Sequence, residues 1–129
     1  MSCPVQSVKY DFAITHTGGG TTTYSDVLVG LDGRYLEWIE AFVIMTLTGS
    51  PTTPSLTLTI QSTMDGGTTW RDLVAFTALT ATGSESKECH RTHGTAGQRF
   101  LGRQFRIKRL YSTDSGAATF TGSIYINGA

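Results

Sequence analysis

Residues 55–76 read SLTLTIQSTMDGGTTWRDLVAF. Leu56, Leu58 and Ile60 alternate with Thr57, Thr59 and Gln61, the period-two pattern of a strand with one buried face. Asp65-Gly66-Gly67 then interrupts the run. An aspartate side chain accepts hydrogen bonds from the amides that follow it, and glycine enters left-handed backbone without a Cβ penalty, so this tripeptide predicts a turn. Leu73, Val74 and Phe76 resume the apolar pattern beyond it. The stretch therefore predicts a β-hairpin, with Trp70 expected as a buried aromatic plug beneath the turn.

Working outward, period two recurs and helical period is nearly absent. Val8, Tyr10, Phe12 and Ile14 predict a first strand, and residues 24–29 a second. Between them, Gly18, Gly19 and Gly20 lack the Lys-Ser or Lys-Thr and the helix that a phosphate-binding loop needs, so they read as a loop. Residues 35–48 predict one long strand, and the run Phe42-Val43-Ile44-Met45 within it suggests burial on both faces. Pro51 and Pro54 end that strand because neither can donate to a ladder. Residues 77–99 form a long polar connection. Phe105 and Ile107 restore alternation, and Phe120, Gly122, Ile124 and Ile126 predict a closing strand. The expectation is an all-β chain of about seven to nine strands, an antiparallel β-sandwich or jelly-roll-like barrel. It forms a single domain over residues 1–129, with an N-terminal arm at 1–9 and a polar loop at 77–99.

Composition agrees with this class. Of 129 residues, 39% are hydrophobic and 16% charged, with ten Lys and Arg balanced by ten Asp and Glu. That balance excludes a disordered polyelectrolyte and supplies no field to gather nucleic acid non-specifically. The longest apolar run, Ala41 to Met45, is too short to cross a bilayer. The N-terminus lacks the basic and apolar segments of a cleaved export signal, so the chain is expected in a reducing compartment with Cys3 and Cys89 as thiols.

The octet TMDGGTTW resembles the Asp-box, with Thr63, Asp65, Gly67, Thr69 and Trp70 on that pattern's positions. The resemblance implies a structural turn built on Asp65, Gly66, Gly67 and Trp70, away from any catalytic centre. A wider order is also present: Ile60-Gln61-Ser62, the octet, Asp72-Leu73 and Phe76, then RQFRIK at 103–108 and TFTGSIYI at 119–126. This order resembles small virion proteins of tailed bacteriophages, capsid decoration (cement) proteins among them. The resemblance implies a non-enzymatic subunit bound to the major capsid protein on the virion surface, assembled in host cytoplasm. Attachment at quasi-threefold axes implies a homotrimer. Discoidin-like sandwiches carry a similar hairpin, which keeps open a carbohydrate-binding module with Trp38 or Tyr24 as its stacking ring, and the virion resemblance equally keeps open another phage head or tail structural component.

Catalytic constellations are incomplete. No Gly-x-Ser-x-Gly elbow is present, and the carboxylate pairs Glu37 with Glu40 and Asp65 with Asp72 are respectively split across strand faces and tied to a turn. Glu88, Cys89, His90 and His93 form the densest group of metal-ligand types, yet a fourth zinc ligand is not evident, so no metal and no cofactor is expected. Basic residues collect late in the chain. Arg106 and Lys108 share a strand face opposite Phe105 and Ile107, a solvated cationic stripe without the aromatics interleaved on that same face that nucleic acid would want. Arg103, Arg106 and Lys108 are the expected partner contacts, with residues 1–9 and 82–97 ordering against that partner.

Overall fold

The computed structural model describes residues 5–90 and 102–129. Eight strands run in the order β1 (Gln6–His16), β2 (Thr21–Tyr24), β3 (Trp38–Gly49), β4 (Ser55–Thr63), β5 (Arg71–Ala75), β6 (Gly83–His90), β7 (Gln104–Ser112) and β8 (Ala118–Gly128). They form two four-stranded sheets, β1-β8-β3-β6 and β2-β7-β4-β5, and every pairing is antiparallel. Only β4 and β5 are both consecutive in the chain and hydrogen-bonded to each other. Every other connection between consecutive strands crosses from one sheet to the other, which is the interleaved order of a jelly roll.

The core lies between the sheets, where the inward rows of both meet. Ile39, Ala41, Val43 and Met45 of β3 and Phe120, Ile124 and Ile126 of β8 face Leu56, Leu58 and Ile60 of β4 and Phe105 and Ile107 of β7, all buried. Period-two burial follows from the pleat, which sends alternate side chains to opposite faces. Gly122 stands in the same inward row, and glycine fits there because β8 passes so close to β3 that a Cβ would fall on the Ile44 carbonyl.

Several boundaries differ from the sequence expectation. The first turn of residues 35–48 is not strand: Gly33–Tyr35 is a 3-10 turn, capped by the Asp32 carboxylate accepting from the Arg34 N–H at 3.1 Å. That turn buries Leu36 before β3 starts at Trp38. The apolar run of β3 is buried on one face only, since Phe42 and Ile44 remain 38% and 47% exposed while Val43 and Met45 are sealed. Nothing within the described residues covers the outer face of that sheet.

The predicted second strand is displaced. β2 occupies Thr21–Tyr24, and residues 25–29 stay tethered to β7 through Ser25 N–H to the Ile107 carbonyl and Leu28 N–H to the Phe105 carbonyl, both 2.8 Å, without ladder register. The N-terminal arm is shorter than expected, because residues 6–9 belong to β1 and pair with residues 125–128 of β8. The polar connection at 77–99 contains β6, whose sequence GSESKECH lacks an apolar period because it is an edge strand. Polar and charged side chains on an edge discourage further pairing. Residues 1–4 and 91–101 lie outside the described residues, so the rest of the arm, Cys3, His93 and the end of the polar loop have no structural account here.

Candidate functional site

The Asp65 turn is closed by its own polar groups. One carboxylate oxygen, Oδ1, accepts from the Thr63 hydroxyl at 2.8 Å, the Thr68 N–H at 3.1 Å and the Thr69 N–H at 2.8 Å. The Gly67 N–H in turn donates to the Thr63 hydroxyl at 3.2 Å. Gly66 and Gly67 both take positive φ, 75° and 99°, as a turn this tight requires. These bonds favour the charged carboxylate, and the Thr69 amide followed by the Thr63 hydroxyl holds its pKa down to about 2. Asp65 is thus committed to the turn, and Asp72 of β5 accepts from the Gln61 side-chain amide at 2.9 Å.

Trp70 departs from its expected role as a plug. It is half-buried, on the outside of the sheet, and its indole N–H donates to the Gly67 carbonyl at 3.0 Å. Its ring lies 4.3 Å from the Arg106 guanidinium, whose centre is also 4.0 Å from the Tyr24 ring. Arg106 Nε donates to Gln61 Oε1 at 2.8 Å. Three strands and the hairpin therefore meet at one cation: Tyr24 from β2, Gln61 from β4, Arg106 from β7 and Trp70 beside β5. A guanidinium between two rings is attracted by both quadrupoles.

This arrangement corrects the view of Arg106 and Lys108 as one solvated stripe. Arg106 is a buckle across the sheet, whereas the Lys108 side chain makes no hydrogen bond or ion pair among the described residues. Arg103 is exposed, and its backbone bridges the Thr63 carbonyl and the Gly33 N–H. Sequence reasoning missed the flanking rings because they come from β2 and the β4–β5 turn rather than from β7. The same contact weakens Tyr24 as a sugar platform, since one face of its ring is already taken.

The remaining candidates are dispersed. Glu37 precedes β3 and Glu40 lies on its outer face, both exposed. Cys89 is buried on the inward side of β6, opposite Ile39. Among the described residues no three His, Cys, Asp or Glu side chains are grouped to hold a metal ion. No helix of the described residues is long and apolar enough to cross a membrane.

Two shallow grooves flank the first sheet. One, of about 500 Å³, lies over β3, β6 and β8 and is lined by Glu40, Phe42, Ser86, Glu88, Tyr125 and Asn127 among others. The other, of about 540 Å³, runs between β1 and residues 24–29, with Tyr10 and Arg109 in its lining. Arg109 donates to the Tyr10 hydroxyl at 3.1 Å, and burial is the largest effect on that phenol, raising its pKa.

Strand order and two-sheet packing together define a jelly-roll domain. No protein-family model matches the chain, and no curated protein does. Among solved structures it is similar to a chain in the structure of infectious bursal disease virus Gx strain, with TM-score 0.53 and 16% identity over 96% of this chain and 31% of that one. It is also similar to the chain in the crystal structure of the infectious bursal disease virus VP2 subviral particle, with TM-score 0.54 and 14% identity over 96% of this chain and 32% of that one. The chain spans about a third of the length of these structures. At such identity the likeness is one of fold.

Proposed function

We propose that this chain is a structural subunit of a virus particle, of the capsid-decoration kind, whose work is binding and packing rather than catalysis. The observation that carries the reading is the jelly-roll strand order, alike over 96% of the chain to domains of virus-particle structures. The sequence order around the Asp65 hairpin, similar to tailed-phage virion proteins, supports the same reading from a separate direction. The internally satisfied turn also supports it, because Asp65 and Trp70 spend their polar groups on the fold.

In this reading the partner is the major capsid protein, met on the virion surface after assembly in the host cytoplasm. Arg103 and Lys108 are the basic residues left to orient the subunit on an acidic shell, since Arg106 is held within its own sheet. Attachment at symmetry axes repeats a modest contact over many copies, and a trimer suits threefold positions. The test is a mass-spectrometric inventory of purified particles, followed by rebinding of the purified chain to particles stripped of it. Saturable rebinding with a raised rupture temperature is expected. Absence from the particle, or no rebinding, refutes the proposal.

A further inference from the structure

One side of the sandwich is left open between the sheets. β1 is an edge strand whose eleven residues keep unbroken register with β8, whereas the edges β2 and β5 have four and five residues. Residues 24–29 form the facing margin of the other sheet, and the groove of about 540 Å³ lies between that margin and β1. Contacts close the groove at one end: a Cβ on Gly30 would stand 3.5 Å from the Ser7 carbonyl oxygen, and the Asp32 N–H donates to Gln6 Oε1 at 2.6 Å. Along Val8 to Asp11 it is open. Among the described residues, the backbone of residues 8–15 pairs with β8 alone.

The lining states what fits. Val8, Tyr10 and Leu28 pack on the core yet stay half-buried, and Tyr24 and Val27 are exposed beside them. Tyr10 shares the inward face of β1 with Phe12 and Ile14, and its hydroxyl accepts from Arg109 at 3.1 Å. Arg109 otherwise donates only to the Tyr24 carbonyl, at 3.4 Å, and its Nε is buried without a partner among the described residues. No carboxylate pairs with this guanidinium there: Lys9 and Asp11 pair with each other, and Asp26 stands in the lining without forming an ion pair. A cation set between two sheets without a counterion is costly, and an anion brought by a ligand relieves that cost.

The geometry points to this groove as the seat of an extended segment of a partner polypeptide, hydrogen-bonded along the open edge of β1 and carrying a carboxylate side chain opposite Tyr10. A row of unpaired backbone groups is matched by extended backbone, which is the basis of strand addition. Cross-strand neighbours share one face of a sheet, so a residue opposite Tyr10 points with it into the gap where Arg109 stands. A glutamate there reaches toward the guanidinium, and a charge-assisted pair outweighs a neutral hydrogen bond. An apolar residue two positions along the same segment falls beside Val8 on the inward side. The inference does not rest on the virion reading, since it concerns recognition of a strand by the isolated chain.

Binding of a synthetic strand to the isotope-labelled full chain tests it by magnetic resonance. The probe is a short blocked peptide that alternates threonine and valine, with glutamate in place of the central valine. Saturable shifts and slowed hydrogen exchange at β1 amides are expected, with the chain sedimenting as a monomer. A glutamine-centred peptide should bind about tenfold more weakly, because a charge-assisted bond becomes a neutral one. N-methylation of the amides on the pairing edge of the peptide should abolish binding. Arg109→Gln should erase the preference for glutamate, with its thermal midpoint reporting the fold, and the peptide comparisons on the parent chain stand without that variant. No saturable binding, equal affinity of the glutamine or N-methylated peptide, a preference that survives Arg109→Gln, or shifts at β6 in place of β1 would overturn the inference. So would β1 edge amides already protected in the chain alone, or a dimer that buries them, since either fills the groove without a separate partner.

Discussion

Replacing Arg106 by Ala separates a buckled arginine from a solvated one, and Lys108→Ala is its natural control two residues along the same strand. Arg106 sits between the Tyr24 and Trp70 rings at 4.0 and 4.3 Å. Each such contact is worth about 0.5–1 kcal/mol at a partly exposed site. Its Nε also donates to Gln61 Oε1 at 2.8 Å, and Gln61 is only 6% exposed. A charged donor of this kind contributes about 1.5 kcal/mol, and its loss leaves a nearly buried amide oxygen unmatched unless water enters. Allowing for that water, Arg106→Ala should cost about 2–3 kcal/mol. Lys108→Ala has no such partner to lose and should stay within about 0.5 kcal/mol. For a chain of this size the difference is on the order of 10 °C in thermal midpoint. Chemical denaturation supplies the free energies, and a double-mutant cycle of Arg106 with Trp70 should give a coupling of about 0.5–1 kcal/mol. Equal, small effects for Arg106 and Lys108, or zero coupling, would refute the buckle and restore the picture of an ordinary exposed stripe.

Two further outcomes are expected of the fold. Asp65→Asn keeps an acceptor in the turn but removes the carboxylate charge, which the Thr69 amide and the Thr63 hydroxyl favour, holding the pKa down to about 2. Because the folded value lies below the unfolded one, the carboxylate stabilises the fold above the ordinary aspartate pKa and loses that effect as pH falls toward 2. The variant should therefore melt below the parent at neutral pH, with the gap closing between about pH 4 and pH 2; a gap independent of pH would count against this. Gly122→Ala puts a methyl group on the Ile44 carbonyl at the β8–β3 contact and should cost about 3 kcal/mol, read by denaturant unfolding, while an unchanged midpoint would show that β8 can move away.

Residues 55–76 were legible because their determinants are local. The β4–β5 hairpin pairs strands that are neighbours in the chain, and the Asp65 bonds reach at most four residues. Period two likewise marked β1, β4, β7 and β8, since alternation depends only on the pleat and on one buried face. The all-β class followed from those patterns. β6 escaped because an edge strand needs no apolar row, and its pairing with β3 joins Trp38 to His90 across the sheet. The face that buried Phe42 and Ile44 in the sequence reading is open because outer cover depends on what packs there, which periodicity along one strand does not encode.

The candidate contacts divide in the same way. The sequence by itself determined the strand alternation, the turn at Asp65 and its glycines, and the near-neutral charge, all properties of adjacent residues or of composition. Tertiary structure alone decided the sheet order, the union of β1 with β8 at opposite ends of the chain, and the separate fates of Arg106 and Lys108. Arg106 meets Gln61 from 45 residues away and a ring from each of two other segments. Hydrogen bonds and ring contacts between distant segments form only after both sheets are in register, so their physical cause is the packed fold and not the local chain.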